Sequence, residues 1–230
     1  MSSESTVRDG RKTRSEELKQ QPDYQLIETM RWEPFSGILR LGLHLARLEN
    51  SARTLGFHYD MDTIRQSLAE TATGEDPLRL RLTLAPDGIV DITTASYPPL
   101  APDSIWRIAI ARTRLRHDDR LLRHKTTQRQ AYIAAREEYA ISEVDEVILL
   151  NERDEVCEGT ITSVFVDMDH RGYITPALSC GLLDGVLRRE FLNNNTAAEG
   201  IITLDDLHKA RDILVGNSLR GTIRARLVSL

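Results

Sequence analysis

Arg123-His124-Lys125-Thr126-Thr127-Gln128-Arg129 stands near the middle of the chain, between two stretches of different pattern, and its lysine is out of character with its surroundings. The sequence has 30 basic residues, of which Lys12, Lys19, Lys125 and Lys209 are the lysines and all others are arginines. An ammonium can lose its proton and become a nucleophilic amine, whereas a guanidinium cannot. Lys125 is therefore a candidate for covalent or proton-transfer chemistry, to be weighed against a lysine left by chance on a loop.

Working back from this stretch, Arg112–Arg123 is charged and turn-rich and reads as a link between two domains, residues 24–115 and 116–230, behind a tail of residues 1–23. The tail is polar without periodicity and reads as loosely held, or as a short helix around Ser15–Gln20 docked on a neighbouring subunit. Leu26–Trp32 reads as a strand, Pro34–Gly37 as a turn and Ile38–Leu41 as the returning strand. Leu43, Leu45, Leu48, Ala52 and Leu55 form a helical stripe ended by Gly56, with His44, Arg47, Glu49, Asn50 and Arg53 on a mostly solvated face. A second helix spans Met61–Glu70, capped by Asp60 or Asp62. Leu78, Leu80, Leu82 and Leu84 alternate with Arg79, Arg81 and Thr83 as a half-buried strand, to which Ile89–Thr94 pairs back. Ile105–Ala111 is assigned to the same layer. The first half is thus an antiparallel sheet with two helices, an α+β arrangement.

Working forward, a helix follows Lys125, with Thr126 or Thr127 as its cap and Tyr132, Ile133, Ala135 and Tyr139 as apolar contacts. Val144–Leu150 reads as a buried strand, Asn151–Glu155 as a polar turn, Thr160–Asp167 as a strand, Asp169–Gly172 as a turn and Tyr173–Pro176 as a short extended piece. Asp184 is a plausible cap for the helix around Val186. Leu204–Ala210 is a helical turn or two, Ile213–Val215 a strand, and Thr222–Leu227 an edge strand.

Composition narrows the function classes. The chain has 230 residues, 40% hydrophobic and 28% charged, with a net charge of −5. Mild acidity argues against a nucleic-acid binder. No apolar run approaches the ~20 residues needed to cross a bilayer, and the N-terminus lacks the apolar core of a signal peptide, so the cytoplasm is expected. Cys157 and Cys180 make neither a disulfide framework nor a metal spacing, and the histidines are scattered.

Lys125 at a link, Glu158-Gly159-Thr160 before a strand, Gly185 opening a helix and Gly216-Asn217-Ser218 after a strand are parts that one cofactor needs together. Pyridoxal phosphate takes a lysine for its covalent tether, an acid beside its pyridine nitrogen and a phosphate cradle.

Their order carries a resemblance. Lys125-Thr-Thr-Gln-Arg129, Glu158-Gly-Thr-Ile-Thr-Ser-Val-Phe165, Thr175-Pro176, Gly181-Leu-Leu-Asp-Gly-Val-Leu-Arg188 and Gly216-Asn-Ser-Leu-Arg-Gly221 resemble the fold-type IV, or class IV, aminotransferase family. So do Leu26-Ile-Glu-Thr29 and His44-Leu-Ala-Arg-Leu48 with Ser51-Ala52. This family includes branched-chain and D-amino-acid aminotransferases and aminodeoxychorismate lyase. The resemblance implies two α/β-type domains of the D-amino-acid-aminotransferase-like fold with the cofactor cleft between them, a homodimer, and a small amino compound as substrate. It implies Lys125 as the cofactor's covalent partner and shuttle of the substrate's α-proton. Glu158 would sit at the pyridine nitrogen, and Arg47, the amides of Val186 and Leu187 after Gly185, and Ser218 would hold the phosphate. Lyase chemistry, releasing pyruvate and 4-aminobenzoate from 4-amino-4-deoxychorismate, is the first reading. An aminotransferase is the second, and a cofactor-binding relative without turnover is the alternative of another class.

Three departures stand out. Ser163 and Gln128 occupy positions where the family usually has asparagine, and the usual Asp-Arg-Gly and Gly-Asp-Gly segment before the Glu-Thr strand is absent, so a more open or differently built pocket is expected.

Overall fold

The computed structural model describes residues 22–169 and 172–228. The expected tail, but for Pro22 and Asp23, and His170 and Arg171 of the expected turn lie outside those residues.

The leucine alternation builds the first sheet. Its strands are β1 (Leu26–Glu33), β2 (Gly37–Ile38), β3 (Leu78–Leu84) and β4 (Val90–Ser96), ordered β2-β1-β3-β4 and antiparallel throughout. Leu26 and Met30 of β1 and Leu80, Leu82 and Leu84 of β3 face helices α1 (Leu41–Leu55) and α2 (Met61–Thr71). They bury against Leu45, Leu48, Ala52, Ile64 and Leu68. Because side chains alternate across a strand, Ile27, Thr29, Arg79 and Arg81 project from the opposite face. Asp60 caps α2, its carboxylate accepting from the Asp62 and Thr63 amides. The returning strand is shorter than expected, since Arg40 adopts a left-handed conformation (φ 57°) that turns the chain directly into α1. That costs a non-glycine residue about 1–2 kcal/mol. The Arg40 side chain offsets it by donating to Glu190 at 2.7 Å and to the Ser218 carbonyl at 3.3 Å.

The second sheet has eight strands. They are β5 (Ile105–Leu115), β6 (Glu146–Asn151), β7 (Val156–Gly159), β8 (Ser163–Asp167), β9 (Tyr173–Pro176), β10 (Ala197–Gly200), β11 (Asp212–Asn217) and β12 (Gly221–Leu227). Their order is β10-β9-β8-β11-β12-β5-β6-β7, with β9/β10, β5/β12 and β5/β6 parallel. The sheet curls, and the Gly159 amide donates to the Thr162 carbonyl at 2.8 Å across the turn joining β7 and β8. Helices α3 (Gln130–Glu137), α4 (Val186–Asn193) and α5 (Leu204–Lys209) complete the chain. Among the described residues no helix is long and apolar enough to cross a membrane, and no cluster of His, Cys, Asp and Glu could hold a metal ion.

Several expectations are corrected. The strand at Ile105 belongs to the second sheet, so the change of sheet falls in the proline-rich Tyr97–Ser104 segment, well before residue 115. The charges after Arg112 do not mark a link, for Arg112, Arg114 and Arg116 pair with Glu138, Asp154 and Asp118 at the surface. Strand β12 is interior, lying between β11 and β5. Strands β7 and β10 were not anticipated. Each is four residues long, too short to show a period. Neither Thr126 nor Thr127 caps α3, which starts at Gln130 without a side-chain cap. The segment is extended instead: Ile27 donates to the Lys125 carbonyl at 2.8 Å and Thr127 to the Gln25 carbonyl at 2.9 Å. Asp184 does not cap α4 either, since its carboxylate takes Arg188 and Arg189.

The tight turn after β7 is templated by Glu146, a carboxylate only 1% exposed. Its Oε1 accepts from the amides of Val147 (2.8 Å) and Thr160 (3.0 Å) and from the Thr160 hydroxyl, and its Oε2 from the Ile161 amide (3.1 Å) and Thr162 hydroxyl (2.9 Å). Gly159 is required here because a Cβ would lie 2.3 Å from Thr162 Oγ1. Replacing Glu146 by Gln puts an amide NH₂ against groups that themselves donate. Glu146→Gln is expected to cost about 3 kcal/mol in urea unfolding, given the ~1.5–3 kcal/mol of a hydrogen bond to a charged group; a loss under ~1 kcal/mol would show that the turn holds itself.

Candidate active site

A buried carboxylate on β1 organises one side of the site. Glu28 is 2% exposed and accepts from Arg47 Nε at 2.8 Å and Arg47 Nη2 at 2.6 Å, the two-pronged geometry that a guanidinium favours. His44 Nδ1 lies 2.6 Å from the same carboxylate, and its Nε2 lies 2.7 Å from Ser218 Oγ in the turn after β11. Arg47 Nη1 donates to the Asp184 carbonyl, just before α4, at 3.2 Å. Contrary to expectation, then, the α1 face bearing His44 and Arg47 is buried, and it carries a relay from the first sheet to two loops of the second. Burial alone would raise the Glu28 pKa, but Arg47 and His44 more than offset it and hold the carboxyl at about 2. Burial pushes His44 down, against the pull of Glu28.

Lys125 is placed by its main chain. Leu26 and Thr126 form an antiparallel bridge, and with the Ile27 bond this aligns the lysine beside β1. Among the described residues its amine has no hydrogen-bond or ion-pair partner. Burial, then the nearby guanidiniums of Arg47 and Arg129, bring its pKa down to about 8. The amine is thus partly neutral close to physiological pH, as a nucleophile or base requires.

Glu158 on β7 is 5% exposed, and its Oε1 accepts from Tyr132 Oη at 2.7 Å and the Leu183 amide at 3.0 Å. Its Oε2 has no partner among the described residues. Burial raises its pKa against those hydrogen bonds and the charges of Lys125 and Arg129. Neighbouring Cys157 is inert, its thiol pushed far up, first by burial and then by Glu158.

Helix α4 begins behind Gly185 with no side-chain cap. The first amides of a helix have no intrahelical acceptor and form an anion seat. Gly185 is needed for close approach, since a Cβ there would lie 2.5 Å from Ser163 Oγ. Arg47, Lys125, Glu158, Gly185, Val186, Leu187 and Ser218, named separately from the sequence, all line one cavity of about 560 Å³. The sequence reading missed Glu28, His44, Glu146 and Tyr132 as parts of the site. Glu28 had a signal, for alternation puts it on the apolar side of β1 with Leu26 and Met30. Tyr132 was taken for an apolar contact, although its hydroxyl donates to Glu158.

Residues 25–228 match the model of the amino-transferase class IV family. The chain belongs to that family. A Schizosaccharomyces pombe (strain 972 / ATCC 24843) protein provisionally named aminodeoxychorismate lyase is 28% identical over 191 residues, covering 80% of this chain and 82% of that protein. The crystal structure of a Mesorhizobium loti protein provisionally named amino-acid aminotransferase is 49% identical with a TM-score of 0.87, covering 90% of this chain and 100% of that one. A Thermotoga maritima protein provisionally named branched-chain amino acid aminotransferase has the same fold, with a TM-score of 0.78 at 24% identity over 89% of this chain and 77% of that one. The chain is thus a class IV enzyme, in a family that spans aminotransferases and aminodeoxychorismate lyases.

Two consequences are measurable. The Glu28 pKa is lowered in the fold from 4.5 to about 2, so its stabilisation is complete above pH 4.5 and is lost as pH falls towards 2. That contribution is on the order of 3 kcal/mol. Urea midpoints are expected to fall steeply across this window in the wild type and clearly less in Glu28→Gln, which is less stable at pH 7. Separately, Gly185→Ala should lower the melting temperature by several degrees through overpacking of about 1–3 kcal/mol, and adding Ser163→Gly should restore most of it.

Proposed function

We propose that this enzyme works with pyridoxal 5'-phosphate and performs lyase chemistry of the 4-amino-4-deoxychorismate type, eliminating pyruvate to leave 4-aminobenzoate. The observation that carries the cofactor reading is the Lys125 amine, at a pKa of about 8, in one cavity with the unpartnered oxygen of Glu158 and the free amides that open α4. These residues fit the group. Its phosphate suits the Val186 and Leu187 amides, the Ser218 hydroxyl and Arg47, whose guanidinium has five N–H donors, three of them used in its bonds to Glu28 and Asp184. Glu158 Oε2 suits the protonated pyridine nitrogen. When bound, the cofactor supplies an electron sink for charge left on the substrate's α-carbon.

The protein's own part is to position and to move protons. Lys125, tethered to β1, accepts the α-proton on Nζ and can return it. Glu158, fixed by Tyr132 and the Leu183 amide, would hold its carboxylate ready for the cofactor's ring nitrogen. Glu146 holds the Gly159–Thr162 wall rigid beside them. The lyase reading draws on the name of the Schizosaccharomyces pombe relative. The Mesorhizobium loti structure favours transamination as a second reading. Assembly as a homodimer and a cytoplasmic location belong to the same proposal, the latter consistent with Cys157 and Cys180 remaining free thiols.

Purified protein mixed with pyridoxal phosphate and desalted should keep a visible absorption band, and Lys125→Ala should not. The rate of cofactor capture should rise with pH through about 8 as the amine becomes neutral. No retained band in the wild type would sink the cofactor reading. Release of pyruvate and 4-aminobenzoate from aminodeoxychorismate supports the lyase; amino-group transfer from an amino acid to a 2-oxo acid, without pyruvate release, supports the aminotransferase.

A further inference from the structure

The Glu28–His44–Ser218 relay has a polarity, and its heavy-atom positions determine it. Glu28 takes both prongs of Arg47 and lies 2.6 Å from His44 Nδ1. A carboxylate paired in this way is ionised and only accepts hydrogen bonds, so Nδ1 carries a proton. In a neutral ring the other nitrogen is then bare and acts as an acceptor. Ser218 Oγ, 2.7 Å from Nε2, therefore donates its one hydrogen to the ring. Burial is the main force keeping the ring neutral; Glu28 opposes it, and the charges of Arg47 and Lys125 assist it.

That polarity leaves Ser218 with lone pairs alone for the cavity it lines. Lone pairs repel an anion, yet the seat beside them is built for one. Helix α4 opens with no side-chain cap over its first amides, and Arg47 lines the same cavity. The conflict exists only while His44 is neutral. In the imidazolium both nitrogens donate, Nδ1 to Glu28 and Nε2 to Ser218 Oγ. The serine hydrogen is then released and can turn to the cavity without movement of any heavy atom. The other charges at this junction do not substitute for the switch. Arg40, at the head of α1, donates to the Ser218 carbonyl and to Glu190 of α4, not to the hydroxyl.

We propose that an anion bound at the α4 seat draws one proton from water onto His44, reversing the His44–Ser218 hydrogen bond and making Ser218 a donor to that anion. His44 is thus a positioning residue for the phosphate site, an assignment that rests on the cofactor reading above and deepens it. The coupling is reciprocal: the anion raises the His44 pKa, and protonated His44 strengthens anion binding by the same factor. Anion affinity is accordingly highest below the pKa of the empty site and falls as pH rises from there to the pKa of the occupied site.

The test reads the ring nitrogens of His44 in two-bond proton–nitrogen correlation spectra of the full-length chain, assigned through the backbone, over a pH series. Sulfate is the probe, because it stays a dianion throughout and brings no proton of its own. Without sulfate, at about pH 7.5, Nδ1 alone should be protonated. With saturating sulfate both nitrogens should be, the titration point rising by about one unit or more. Sulfate affinity should fall up to about tenfold per pH unit between the two titration points. Ser218→Ala should reduce the rise by more than half; if its melting temperature shows that it fails to fold, Ser218→Cys, a poor donor, takes its place. A ring doubly protonated before sulfate, or still neutral after it, overturns the proposal. So does an equal rise in the folded Ser218 variant, which would mean attraction through space alone. Pyridoxal phosphate is the second probe: a retained visible band with His44 still neutral overturns this proposal alone, whereas protonation by sulfate without a retained band overturns the cofactor reading alone. No change with either anion overturns both.

Discussion

The bidentate bond between Arg47 and Glu28 is the interaction on which the rest of the site depends. Burying a lone carboxylate is costly, and burying a lone guanidinium scarcely less so; together, with His44 as a third member, they are tolerated. The geometry does more than neutralise charge. Glu28 belongs to the first sheet, Arg47 and His44 to α1, and the outer contacts of those two residues are the Asp184 carbonyl and Ser218 Oγ in the second half of the chain. One buried cluster thereby ties the first sheet to the turn after β11 and the loop before α4. The left-handed Arg40 reinforces it from the start of α1, bonding to Glu190 of α4 and to the Ser218 carbonyl.

Two further buried carboxylates are treated in opposite ways, and the contrast separates structure from chemistry. Glu146 has both oxygens saturated by donors from the turn it organises. Glu158 has one oxygen saturated and the other left over. A fully bonded buried carboxylate is a strut, whereas a buried acceptor with unspent capacity needs a partner that the described residues do not supply. The same distinction applies among the cations: Arg47 is bonded on both sides, whereas Lys125 has no partner among the described residues and lies near repelling guanidiniums.

How much of this was legible in the sequence depended on range. The leucine alternation of β3 and the stripe of α1 are local patterns, and both elements formed where the patterns lay. Lys125 was legible because an arginine-rich chain makes its one central lysine conspicuous. The Glu28–His44–Ser218 contacts span 16 and 174 positions, and no local period encodes them. His44 and Arg47 therefore read as surface residues, because on a helical wheel they occupy the polar side; that side meets Glu28 of β1 and the loops carrying Asp184 and Ser218. Strand β5 was given to the wrong sheet for the same reason. Its neighbours β12 and β6 lie downstream, and parallel pairing leaves no hairpin turn to announce itself. The charged run after Arg112 resembled a linker because surface ion pairs and linkers draw on the same residues.

The placement of Lys125 shows why the chain needs both sheets. Its main chain is fixed beside β1, its carbonyl accepting from the Ile27 amide and the next residue bridging to Leu26. The groups that modulate its amine come from both halves of the chain: Arg47 from α1, Arg129 from its own segment, Glu28 from β1, and Glu158 from the second sheet. Lysine carries four rotatable carbons, and an amine on an exposed loop would be solvated, protonated and free to wander. Tethering the backbone beside β1 and burying the amine among guanidiniums fixes its reach and, by burial and repulsion, keeps a usable fraction neutral. Such tuning requires that neither side yield. That is the physical reason for a paired Glu28–Arg47–His44 cluster and a fully bonded Glu146 turn beside a lysine whose amine has no bond among the described residues.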